Sequence, residues 1–231
     1  MIETFDLTKQ YNEQVVLNLP KVKISKGESF GLVGNNGAGK TTFFRLILDL
    51  IRPTAGEVKI NDESVAENPS WKMITGSYLD DNYLIDFLTP EEYFEFIAGV
   101  YKLPKGDLEQ FYADYENFFN GEVLGKKKYV RDLSRGNQQK VGIAAALLPK
   151  PEILILDEPF NGLDPTTQIR LIKLLNELRE KTDITMLISS HDLNHVTEVC
   201  SRILVLDKGE VYKDIVKTEN TMKELEEYFA A

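Results

Sequence analysis

Apolar positions recur at three different periods along this chain. Over residues 1 to 33 they alternate, as in "VKISKGESFGLVG", where Val22, Ile24, Phe30 and Leu32 fall at period two, so this stretch predicts strands. From Lys40 to Ile51 an apolar helix is predicted, closed before Pro53, and "GEVKI" resumes a strand. After Pro151 the runs "ILILD", "ITMLIS" and "RILVLD" are apolar at successive positions and are separated by helices from Thr166 to Lys181 and from Asp192. Strands apolar on both faces and alternating with helices are the pattern of a parallel sheet covered on both sides. The final "ENTMKELEEYFAA" suits a short terminal helix.

The segment from Thr89 to about Asn120 has a different texture, helical and rich in aromatics. Thr89, Pro90 and Glu92 supply an N-cap, a first-turn proline and a capping-box carboxylate, so a helix starts there. A second helix follows the break at "LPKGD", with Leu108, Phe111, Tyr112, Tyr115, Phe118 and Phe119 on one stripe. Such a stripe is read as the core of a small helical subdomain, with room on the same unit for a partner-binding surface. No repeat and no Pro/Gly/Ser-rich linker divides the chain, so a single domain over 1–231 is expected, with helices inserted over roughly 82–150.

Composition narrows the class without naming it. The 231 residues are 42% apolar and 28% charged, as in a globular protein, and the formal net charge of -10 argues against a surface built to neutralise nucleic-acid phosphates. Lys126, Lys127 and Lys128 follow Gly125 as a short solvated loop. The one cysteine, Cys200, rules out an intramolecular disulfide and is expected to be a small buried apolar residue. The N-terminal "MIETFDLTKQYNEQ" has neither a basic start nor an apolar stretch, and nowhere do about 18 apolar residues run together. A cytosolic chain is expected, touching a membrane only through a partner.

Chemistry enters at "GNNGAGKTT". Gly34, Asn35, Asn36, Gly37, Ala38, Gly39, Lys40, Thr41 and Thr42 match G-x-x-x-x-G-K-[ST] directly after a predicted strand and before a predicted helix. Backbone N–H groups of such a loop surround phosphates, Lys40 reaches the β- and γ-phosphates, and the Thr41 hydroxyl ligates Mg²⁺. "ILILDEP" places Asp157 at the carboxyl end of a buried strand, where it would hold Mg²⁺, with Glu158 beside it to polarise an attacking water. Nucleotide binding, with ATP and Mg²⁺ as ligands, is therefore expected.

The chain resembles the ATP-binding cassette (ABC) family over nearly its whole length. Tyr11 stands where the family has an aromatic ring that stacks on adenine. "LSRGNQQK", Leu133 to Lys140, stands where the family has its signature, usually Leu-Ser-Gly-Gly-Gln, and "NGLD" carries Asp164 at the family's D-loop. His191, after "ITMLISS", looks like the family's switch histidine. The resemblance implies a mixed α/β fold of P-loop NTPase type, with an N-terminal antiparallel β subdomain and an inserted helical subdomain. It also implies a head-to-tail dimer, with either a second copy or a different cassette, in which each phosphate loop is covered by the other subunit's signature. Ser134 and the Gly136 N–H would donate to the partner's γ-phosphate, His191 would contact the γ-phosphate, and Asp164 would line the interface.

Two departures from the family pattern stand out. Arg135 occupies a signature glycine position, and the family's Q-loop glutamine falls on Asp80, with Asp81 a possible register. An Asp is a hard oxygen donor and can still ligate Mg²⁺. The similarity is strongest to single-cassette subunits of bacterial exporters, which work with a separate membrane-spanning polypeptide on the cytoplasmic face of the membrane. The surface near Asp80 to Tyr101 is expected to dock on that partner. The alternative is a soluble ABC ATPase of DNA repair or translation, a class that usually carries two cassettes, a zinc insertion or a coiled coil, none of which is present.

Overall fold

In the computed structural model residues 1–229 are described. They form one ten-stranded mixed sheet with helices on both faces. The chain opens with β1 (Ile2–Tyr11) and β2 (Gln14–Ile24), an antiparallel hairpin, then β3 (Ser29–Val33), helix α1 (Lys40–Ile47), and β4 (Ala55–Ile60) with β5 (Glu63–Ser64). After β6 (Thr75–Tyr78) come α2 (Pro90–Val100), α3 (Lys105–Asp114), α4 (Glu116–Phe119) and α5 (Arg135–Leu147). Then β7 (Ile153–Leu156), α6 (Pro165–Lys181), β8 (Thr185–Ser190), α7 (Leu193–Val199), β9 (Arg202–Asp207), β10 (Glu210–Val216) and α8 (Thr221–Phe229) complete the order. Of the terminal stretch, Ala230 and Ala231 lie outside the described residues.

The strands lie in the order β5-β4-β1-β2-β10-β9-β3-β8-β7-β6. From β9 through β3, β8 and β7 to β6 all neighbours are parallel, whereas β1, β2, β4 and β5 pair antiparallel. The two parts join through β10, antiparallel to β9 and touching β2 at Glu210 and Asn18. The expected antiparallel unit and parallel core are thus one continuous surface.

The continuous apolar runs have a direct cause. Leu154 and Leu156 of β7, Met186 and Ile188 of β8, and Ile203 and Val205 of β9 point into one core, under the helical segment. Their alternate neighbours Ile153, Ile155, Leu187, Leu204 and Leu206 point into the other, with α1 and the N-terminal strands. Each strand is buried on both sides, so apolar residues fill consecutive positions.

Two helix expectations need correction. α1 ends at Ile47 rather than Ile51, because Leu48 caps it and Asp49 turns left-handed with φ 51°. The aromatic helix is broken at Tyr115 into α3 and α4, yet its stripe still packs inward. Phe94, Phe111, Phe118 and Phe119 are buried, with ring centroids of Phe94 at 5.3 Å from Phe111 and 5.8 Å from Phe119. The Thr89–Glu92 capping box forms as expected. Lys126 to Lys128 are exposed, and Cys200 is buried, its thiol pushed up to about 12 by desolvation.

One contact matters for the site. α5 lies flush on β6, where a Cβ on Gly142 would come within 2.4 Å of the Tyr78 ring and one on Gly76 within 2.0 Å of the Ala146 carbonyl oxygen. Glycine at both positions lets the helix that begins at the signature rest directly on a core strand.

Candidate functional site

Strand order assembles the site. β3, β8 and β7 are adjacent and parallel, so their carboxyl ends deliver the phosphate loop, His191 and the Asp157–Glu158 pair to one edge of the sheet. Ligands of open α/β sheets bind along this edge.

The loop wraps around a cleft of about 350 Å³ lined by Val16, Asn36, Gly37, Ala38, Gly39, Lys40, Thr41, Thr42 and Glu158. Gly37 and Gly39 take φ of 85° and 106°, a left-handed backbone that other residues adopt only with strain. Gly34 is required by proximity instead, since a Cβ there would sit 2.4 Å from the Leu206 carbonyl oxygen. The Lys40 ammonium donates to the carbonyls of Gly34 at 2.6 Å and Asn35 at 3.5 Å.

Around that loop the acidic residues interlock. The Thr41 hydroxyl donates to Asp157 Oδ2 at 2.5 Å, and the Ser189 hydroxyl donates to Asp157 Oδ1. Ser189 also accepts the Glu158 N–H at 2.8 Å, so one buried serine orients both acids. Glu158 lies 3.1 Å from Lys40 Nζ through Oε1 and 2.8 Å from His191 Nδ1 through Oε2. Its backbone is left-handed, φ 49°, a conformation costing on the order of 1–3 kcal/mol in a residue with a Cβ. Burial pushes the Asp157 carboxyl above its ordinary value, partly offset by the Ser189 and Thr41 hydrogen bonds.

These donors fit a small hard cation. Thr41 and Asp157 present oxygen ligands side by side, and a divalent charge there would relieve the cost of burying Asp157. Among the described residues no three His, Cys, Asp or Glu side chains converge to hold a metal by themselves. Mg²⁺ is commonly held by one or two carboxylates together with substrate phosphates.

The remaining expected residues lie elsewhere. Tyr11 ends β1, 47% exposed, with Lys9 Nζ at 4.7 Å from its ring centroid; Val16, on β2, is the larger apolar residue lining the cleft. Ser134 is the N-cap of α5, accepting from the Asn137 N–H at 3.4 Å, and is exposed, as is Arg135. A Cβ on Gly136 would meet nothing nearer than 3.5 Å, so nothing within the chain demands glycine there. Asp164 is an exposed N-cap of α6, accepting from the N–H groups of Thr166 and Thr167 and from the Thr167 hydroxyl at 2.6 Å. Those bonds, the hydroxyl first, hold its carboxyl below the usual range.

Asp80 and Asp81 diverge. Asp80 accepts the Asn82 N–H at 2.7 Å and stands 4.0 Å from Arg45 of α1, whereas Asp81 accepts the Tyr78 hydroxyl at 2.5 Å and faces Arg135. Gln139, buried in α5, donates to the Pro159 carbonyl at 2.6 Å and ties the signature helix to the turn after Glu158. Gln139, Ser189 and Val16 were not singled out from the sequence. Ser189 did leave a trace there, a polar residue closing an otherwise apolar run.

The family model for ABC transporters matches residues 17–161. The bacitracin transport ATP-binding protein BcrA of Enterococcus faecalis is 34% identical over 93% of this chain and 69% of its own length. A methionine import ATP-binding protein of Carboxydothermus hydrogenoformans is 34% identical over 86% of this chain and 60% of its own, and an uncharacterised ABC transporter ATP-binding protein of Nostoc is 34% identical over 91% and 65%. The chain thus spans about two thirds of the length of the curated relatives it matches. Among solved structures, the ATP-binding subunit of an ABC transporter superposes with a TM-score of 0.84 at 29% identity, covering 100% of this chain and 93% of that one. A dimeric ATP-binding cassette holding ADP and phosphate after hydrolysis gives 0.82 at 27% identity, covering 94% and 98%. The phosphate loop, the acidic strand end and the sheet that brings them together belong to a chain of the ABC transporter family.

Proposed function

We propose that this chain binds and hydrolyses ATP with Mg²⁺ and powers transport through a separate membrane-spanning subunit, as one of two cassettes that close head to tail around two ATP. One observation carries this reading: the phosphate cradle has its lysine, its acids and its histidine in mutual contact, while Ser134 and Gly136 are presented on a different helix, away from the cleft's walls. Each chain has a cradle without a cover and a cover without a cradle.

The residues divide the work as follows. Loop N–H groups and Lys40 take the phosphates, and an incoming triphosphate competes with Glu158 for the Lys40 ammonium. Thr41 and Asp157 would hold Mg²⁺, with Asp80 a further ligand on the ground of its Q-loop spacing, and the ion would offset charge on the phosphate oxygens. Glu158, freed from Lys40 but still held by His191, polarises the water that attacks the γ-phosphorus and takes its proton as ADP leaves. Tyr11 and Val16 take the adenosine, and Asp164 faces the partner cassette.

Among the described residues no helix is long and apolar enough to cross a membrane. Exposed Tyr83, Phe87, Phe96 and Val100 lie within the segment Asp80 to Tyr101, which docks on the membrane subunit and brings the cassette to its cytoplasmic face. Crosslinks to that subunit concentrate there; crosslinks confined to the helix after Glu219 overturn this surface. The central test is Glu158→Gln. ATP binding persists, hydrolysis falls by orders of magnitude, and sedimentation shows an ATP-dependent dimer. Full turnover by that variant with Mg²⁺ removes Glu158 from the mechanism.

A further inference from the structure

Arg135, one of the departures from the family's pattern, touches Asp81, the neighbour of Asp80 and the other register for the Q-loop position. Arg135 Nε lies 3.5 Å from Asp81 Oδ2, and the other oxygen of Asp81 accepts the Tyr78 hydroxyl at 2.5 Å. Tyr78 is the last residue of β6 and is buried, its ring pressed against Gly142 of α5. Asp81 is therefore anchored to the core, while the Arg135 side chain is 77% exposed.

Electrostatics gives the contact a purpose. Arg135 opens α5, where the unpaired N–H groups carry positive partial charge and a cation is unfavourable. The first turn of α5 has no acidic residue of its own. Asp81 supplies one from the neighbouring segment. We propose that Asp81 is a positioning residue for the signature: it draws the Arg135 guanidinium back along the chain's own surface and leaves Ser134 and the Gly136 N–H clear to meet the partner cassette's phosphate. Without Asp81, the long side chain crowds those donors and adds its charge to the helix end. Asp80, one residue earlier, turns to Arg45 of α1, so the adjacent carboxylates address the helix leaving the phosphate loop and the helix starting at the signature.

The inference rests on the two-cassette reading and is tested by ATP-driven dimerisation of the Glu158→Gln chain, followed by sedimentation. An exposed ion pair is worth about threefold. A two-fold dimer carries it twice, so Asp81→Asn weakens dimerisation about tenfold. In the Arg135→Gly background the same change costs less than twofold, because nothing remains to be restrained. Asp81→Glu restores dimerisation, and the loss shrinks in high salt as the pair is screened. The Asn amide oxygen still accepts from Tyr78, so the nucleotide-free melting temperature stays constant and marks the effect as positional. A loss equally deep with Arg135→Gly, an unchanged dimer, or a tighter one overturns the role. A parent chain that stays monomeric with ATP overturns the two-cassette reading, and this inference with it.

Discussion

The sheet edge and the signature end of α5 both read as phosphate sites, yet they are built in opposite ways. At the sheet edge the reactive side chains are linked within the chain: Lys40 meets Glu158, Glu158 meets His191, and Ser189 joins Asp157 to the Glu158 backbone. Even its glycines are demanded internally, as Gly34 is by the Leu206 carbonyl. At the signature the Ser134 cap is long, Arg135 is exposed, and Gly136 has room for a side chain. A residue whose smallness serves nothing in its own chain points to something outside it. On the proposed reading the first region is preorganised for a ligand, and the second for a surface that arrives with one.

That contrast is sharpest in the glycines. Gly136→Asp abolishes ATPase activity, because a carboxylate meets the partner's phosphate, yet it leaves the melting temperature unchanged or slightly higher, since an acid suits the first turn of a helix. Gly34→Ala does the reverse to the fold, losing stability through a Cβ forced against a carbonyl. Equal stability losses in the two variants would end the comparison. Lys40→Ala comes next: equilibrium binding of ATP weakens roughly 10- to 100-fold from loss of charged hydrogen bonds, separable from turnover.

Ser189→Ala tests the internal lattice of the sheet edge. Turnover falls about tenfold with ATP affinity little changed, because Asp157 and the Glu158 backbone lose their shared partner. A change in KM alone would remove Ser189 from the catalytic geometry. Asp157 supplies a pH prediction. Its carboxyl is raised by burial, so the folded chain binds more protons than the unfolded one just above the ordinary value of 3.8, and this group's contribution to stability falls as pH rises through that window. Asp157→Asn therefore raises the nucleotide-free melting temperature at neutral pH while removing Mg²⁺-dependent turnover. The smallest effect belongs to Arg135→Gly. Steady-state ATPase of the assembled complex stays within about fivefold, because Ser134 and the Gly136 N–H, which meet the partner's phosphate, are kept. A loss as deep as that of Gly136→Asp would make Arg135 an essential phosphate ligand.

Local rules carried much of this protein. The β3–loop–α1 unit, the capping box at Thr89, the N-caps at Ser134 and Asp192, and the buried runs ending at Asp157 and Ser190 are all legible because each depends on neighbours within a few residues. Helix ends were less legible where a left-handed residue intervened, as Asp49 does after α1, since Asp carries no strong stop signal. What only the tertiary structure decided is adjacency. β3, β8 and β7 are far apart in sequence, and their order in the sheet alone brings Lys40, His191 and Glu158 within hydrogen-bonding distance. The same holds for Ser189, whose role depends on the strand beside it, for Val16, which reaches the cleft from β2, and for Arg135, whose partner Asp81 sits on another segment. Residue type and spacing determine which groups can do chemistry, because those constraints are short in range. Which of them meet is set by long-range packing of buried strands, for which the sequence carries an apolar pattern and no address.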